Sequence, residues 1–127
     1  MNANGAVDHL VTQGFTRAAV YSVTAADFAA QGGDWQAGPS DIRLLIDGFS
    51  DPDNVVDRDF TINGSQYTLE VRDETLLYCP SDADTILFAH KNGESIVLGE
   101  FIVGALSLKE AELNIKEVAY VMATKRP

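Results

Sequence analysis

The chain has 127 residues, 46% hydrophobic and 22% charged, which suits one folded domain over residues 1–127 and excludes a disordered polymer. Its formal net charge of -10 repels phosphate backbones and anionic headgroups, so nucleic acid and membrane insertion are set aside as partners. One cysteine, Cys79, permits neither an internal disulfide nor a cysteine-built zinc site, and it fits a reducing compartment. Met1-Asn2-Ala3-Asn4-Gly5 lacks the basic and apolar regions of a signal peptide, and no apolar run approaches the roughly 20 residues that span a bilayer. A soluble, cytoplasmic protein is expected.

Residues 3–12 hold Val7, Leu10 and Val11 at helical spacing and predict a first helix. Residues 17–23 and 27–31 read as two strands, and Gly32-Gly33 ends the second. Pro39-Ser40-Asp41 opens a helix whose stripe is Ile42, Leu45, Ile46 and Phe49, with Gly48 expected to stop it. Ser50-Asp51-Pro52-Asp53-Asn54 reads as a polar turn. Phe60 and Ile62 alternate with polar residues, Asn63-Gly64 supplies a tight turn, and Tyr67, Leu69 and Val71 alternate again. Residues 75–79, 85–91 and 95–103 continue an antiparallel meander, with a second hairpin turn at Asn92-Gly93. Ser107-Leu108-Lys109-Glu110 is a capping box. It opens a helix whose inner face is Leu108, Ala111, Ile115, Val118, Ala119 and Met122, with Lys109, Glu112, Lys116 and Tyr120 outside. Lys125-Arg126 suits the negative end of that helix dipole. This order predicts an α+β fold, with a central antiparallel β-sheet between amphipathic helices.

Catalysis finds no constellation. His9 and His90 fall on different elements without a recognisable partner and read as surface residues. No phosphate loop or nucleophile elbow is present. The acids Asp47, Asp51, Asp53, Asp57, Asp59, Asp82 and Asp84 read as turn formers. The run around Asp51 lacks the central glycine and distal glutamate of a calcium loop. No enzyme, metal or cofactor is implied, and Trp35 reads as a core plug or, alternatively, as a displaced ligand platform.

Several strings, in order along nearly the whole chain, resemble the profilin family of actin-monomer-binding proteins. They are Ala6-Val7-Asp8-His9-Leu10, Phe28-Ala29-Ala30-Gln31, Ser40-Asp41-Ile42 with Phe49-Ser50-Asp51-Pro52, and Phe60-Thr61-Ile62-Asn63-Gly64-Ser65-Gln66-Tyr67. Val71-Arg72-Asp73 and His90-Lys91-Asn92-Gly93-Glu94-Ser95-Ile96-Val97-Leu98-Gly99 complete the set. The resemblance implies N- and C-terminal helices packed together on one sheet face and a further helix on the other. It implies an actin surface carrying Arg72, Lys91, Asn92, Lys109, Glu112 and Lys116, whose last three members read equally as a solvated helix face. It also implies a proline-rich-peptide platform. There the family's rings are matched by Ala3, Ala6 and Phe28, with Tyr120 one place from the last, so peptide binding is expected to be weak or absent. A monomer is expected. Two alternatives stand beside this reading: a dimeric roadblock- or longin-type scaffold, and a diverged profilin whose negative charge keeps actin away.

Overall fold

The structure, a computed structural model, describes residues 2–124, so Lys125 and Arg126 lie outside the described residues. Helix α1 (Ala3–Thr12) starts where the Asn2 side chain accepts the Gly5 amide at 2.8 Å. It is followed by β1 (Arg17–Ser22), β2 (Asp27–Gly32), α2 (Pro39–Ser50) and the single-turn α3 (Pro52–Val55). Then come β3 (Asp59–Ile62), β4 (Ser65–Thr68), β5 (Glu70–Asp73), β6 (Leu76–Pro80), β7 (Thr85–Asn92), β8 (Ser95–Ile102) and α4 (Leu108–Thr124). Six strands form one antiparallel sheet in the order β2-β1-β8-β7-β6-β5, and β3-β4 is a separate two-stranded hairpin.

Two apolar clusters hold the layers. On one face Ala6, Val7 and Leu10 of α1 and Ala111, Ile115, Val118 and Ala119 of α4 cover Val20, Phe88, Val97 and Phe101. The two terminal helices contact each other there. On the opposite face Leu45 of α2 and Phe60, Ile62 and Tyr67 of the hairpin cover Tyr21, Leu77, Leu87 and Leu98. Trp35 is buried in this second cluster and donates its indole N–H to Ala18 O at 3.1 Å, so it is a core residue. The expected α+β arrangement, with terminal helices together and a further helix opposite, is the observed one. Cys79 is fully buried on β6, opposite Leu87 of β7, and burial pushes its thiol up to about 12.

Several local expectations change. Gly48 does not end α2; it lies inside the helix, where a Cβ would stand 2.8 Å from Leu77 Cδ1 and 3.1 Å from Leu69 Cδ1. The glycine is there for close approach to the sheet. Residues 51–54 are not merely a turn, because Pro52 starts α3. The alternation through Tyr67, Leu69 and Val71 is not one strand. The Leu69 amide donates to Arg58 O and its carbonyl accepts the Asp57 amide, so the chain leaves the hairpin here and enters the main sheet as β5. The two Asn-Gly pairs also differ. Asn63 and Gly64 both take positive φ between paired Ile62 and Ser65, whereas Asn92 pairs with Ser95 and only Gly93 is left-handed. Leu108 is exposed rather than on the inner face of α4.

The hairpin is tied down by polar contacts. Asp41 of α2 accepts the Gly38 amide at 3.1 Å and the Thr61 amide of β3 at 3.0 Å. Beneath the hairpin Glu100 is buried, ion-paired with Arg17 and accepting a hydrogen bond from the Tyr67 hydroxyl. Burial, with the Glu100 carboxylate, pushes the Tyr67 phenol far above its usual value. These groups pair with each other inside the fold, which gives them a structural role.

Candidate partner-binding surface

The polar residues expected to meet a partner collect mainly where β5 passes α4. Glu70 pairs with Tyr78 and Val71 with Leu77, but Asp73 then pairs with Leu76, leaving Arg72 in a bulge. Both Arg72 and Asp73 thereby reach α4. Arg72 Nε lies 3.5 Å from Glu112 Oε1, and its guanidinium stands 5.2 Å from the centre of the Tyr78 ring. Lys116 Nζ lies 3.3 Å from Asp73 Oδ2 and 3.9 Å from Glu112 Oε2. The result is a row of alternating charge, Arg72–Glu112–Lys116–Asp73, that links a sheet edge to a helix. The 112 and 116 positions are one helical turn apart, so α4 supplies both members of its share from one face.

Asp73 is further fixed by the turn that follows it. Its Oδ1 accepts the Thr75 amide at 2.8 Å and the Thr75 hydroxyl at 3.0 Å. Partial burial works to raise its carboxyl, but the Thr75 hydrogen bonds and the Lys116 ammonium outweigh it and hold the pKa below the usual value. His90 lies behind the row, opposite Leu76 on β6. It is half-buried rather than a surface residue, and its Nδ1 is buried without a hydrogen-bond partner among the described residues. Desolvation lowers its pKa, Lys116 lowers it further, and Asp73 opposes them.

The remaining candidates are spread more widely. Asn92 Nδ2 donates to Ala119 O at 2.9 Å, which ties the end of β7 to α4. Lys109 is exposed on the first turn of α4, in line with Glu112 and Lys116. The box that starts this helix forms as expected, with Ser107 Oγ accepting the Glu110 amide at 3.1 Å. Lys91 is different. Along β7, Ile86 and Phe88 join the terminal-helix cluster and Leu87 and Ala89 join the other, so alternation turns Lys91 away from α4. Beyond the charged row, Tyr78, Pro80, Ile86, Phe101, Leu106 and Leu108 help line an open cavity of about 360 Å³ at the start of α4. Ile102 and Val103 beside it are 50% and 57% exposed, an apolar rim that a partner can cover.

The second expected surface does not assemble as a set. Ala6 is fully buried under α4, Ala3 packs beside it, and Tyr120 is exposed on α4. Phe28 lies on the opposite sheet face with Tyr21 and Trp35. The cause is a bulge: Val20 pairs with Ala30 but Tyr21 with Phe28, so Ala29 is extra and inverts the alternation. Asp73 and Tyr78 were not singled out from sequence, and His90 was read only as a surface residue. Only Asp73 carries a local signal, the Asp-x-Thr turn, because the other two depend on pairing with distant strands. Among the described residues no group of three metal-ligating side chains forms.

A sheet flanked on one face by paired terminal helices and on the other by a helix and a hairpin places the chain in the α+β class of the known profilins. The sequence model of the Profilin family matches residues 1–125, and the chain belongs to that family. No curated protein sequence matches it. The fold is similar to Acanthamoeba castellanii profilin II, with a TM-score of 0.81 at 19% identity, covering 98% of this chain and 100% of that one. Schizosaccharomyces pombe profilin gives 0.80 at 18% identity, with 98% and 100% covered. LokiProfilin2, solved as a complex with rabbit actin, gives 0.75 at 11% identity, with 94% and 95% covered.

Proposed function

We propose that this profilin binds monomeric actin and regulates its polymerisation, using Arg72, Asn92, Lys109, Glu112 and Lys116; Lys91, on the other sheet face, is not part of this surface. The observation that carries the reading is the alternating charged row across β5 and α4, flanked by an apolar cavity and rim. Pairing within the row restrains long side chains before a partner arrives, which reduces the ordering cost of docking. Charges at such a rim set orientation and encounter rate more than affinity, while the apolar area supplies adhesion. Support also comes from the same fold having been solved on rabbit actin in LokiProfilin2. The protein acts as a monomer in the cytoplasm, with residues 1–127 as one domain, and performs no chemistry.

Pyrene-actin polymerisation with the cognate actin tests this. Excess protein is expected to suppress spontaneous nucleation, and Lys109→Glu to weaken binding by about threefold. Unchanged nucleation at saturating protein overturns the reading. Proline-rich peptides bind weakly or not at all, because an alanine pair and a Phe28 turned to the opposite sheet face leave little ring surface beside the terminal helices. A deca-proline titration followed by amide NMR shifts checks this, and saturation at micromolar peptide would contradict it.

A further inference from the structure

We propose that the open cavity between α2 and the β1–β2 hairpin is a binding site for a small organic cation, an ammonium group carried on an apolar or aromatic body. The cavity holds about 480 Å³, within the range of roughly 300–1,000 Å³ typical of small-molecule sites. Ile42 and Ile46 of α2 form one wall, Tyr21 and Phe28 the other, and Asp27 and Arg43 stand in the lining as its charged members. Phe28 is present only because the extra residue Ala29 turns it to this face. Its ring meets Tyr21 edge-to-face, with centroids 5.3 Å apart at 83°. Tyr21 is buried and Phe28 half-buried, so Phe28 supplies most of the aromatic surface in the cavity, and aromatic rings attract cations and give an apolar body flat area to pack on.

Charge decides the sign of the ligand. Arg43 is engaged within its own helix, with Nε 3.3 Å from Asp47 Oδ1. Asp27, on the opposite lip, has no ion-pair partner among the described residues; its Oδ1 accepts only the neighbouring Phe28 amide at 2.8 Å. Asp27 is exposed and open to pairing with a ligand cation, whose approach the chain's net charge of -10 favours. This face is opposite the one bearing α1 and α4, so the inference stands or falls independently of the actin reading.

The test compares two probes that share one apolar body, 1-naphthylmethylammonium and 1-naphthoate, by amide and methyl NMR titration of the whole protein. The ammonium probe is expected to give saturable shifts at Tyr21, Phe28, Ile42 and Ile46, and the carboxylate probe to give none there. Asp27→Asn keeps the Phe28 cap acceptor and is expected to weaken the ammonium probe by about threefold, whereas Arg43→Ala tightens it. Both positions are exposed, so the variants fold. Equal binding of both probes, shifts centred elsewhere, or affinity indifferent to Asp27→Asn overturns the proposal.

Discussion

His90 shows how one side chain couples the charged row to pH. It packs between Leu76 and Val97 on the sheet, both apolar, while Lys116 from α4 and Asp73 from β5 act on it. Its folded pKa lies below the ordinary value of 6.5, so below that pH the unfolded chain takes up the proton more readily than the fold does. Stability is therefore complete above that value and falls as pH drops toward the depressed folded pKa. Urea midpoints measured from neutral pH downward are expected to decline over this window, and His90→Gln to flatten the decline. Asp73 contributes in a lower window, because its depressed pKa removes stability only as pH falls below the carboxylate's ordinary 3.8. A decline unchanged in His90→Gln would assign the effect to other groups.

The elements show what a linear pattern conveys and where it stops. The capping box at Ser107 and Glu110 was readable because both partners are local, and so was the Asn63-Gly64 turn. The terminal-helix core was readable from the spacing of Ala111, Ile115 and Val118. The bulges at Ala29 and Arg72 were not, since a bulge exists only relative to a partner strand. Phe28, matched by resemblance to a ring of the peptide platform, consequently lies on the other sheet face, and the convergence of Arg72 with Glu112 had only family resemblance behind it. Gly48 failed for a related reason: its local context suggests a helix stop, but its neighbours across space are Leu77 and Leu69. Gly48→Val tests that explanation. The added side chain gains helix propensity of under about 1 kcal/mol and meets a packed sheet, where overpacking costs typically 1–3 kcal/mol. A fall in Tm of about 4–8 °C is expected by calorimetry, and an unchanged or raised Tm would show that the interface can open at no cost.

At the scale of the whole molecule, a chain of net charge -10 carries, on the surface proposed to meet a partner, a row in which both signs alternate. Local complementarity can then operate despite long-range repulsion, and added salt relieves the repulsion more than the short contacts. The sheet divides the interior into two clusters, and Cys79 belongs to the one beneath α2 and the hairpin. That position makes the lone thiol a clock for the opening of the entire layered interior. With the group shielded and its pKa pushed up to about 12, a reagent such as Ellman's at mildly alkaline pH meets very little thiolate, and cannot reach it until β6 is uncovered. Labelling should follow the opening rate, accelerate with urea, and quicken in Gly48→Val, whereas immediate labelling of the native protein would mean that this half of the molecule breathes on its own.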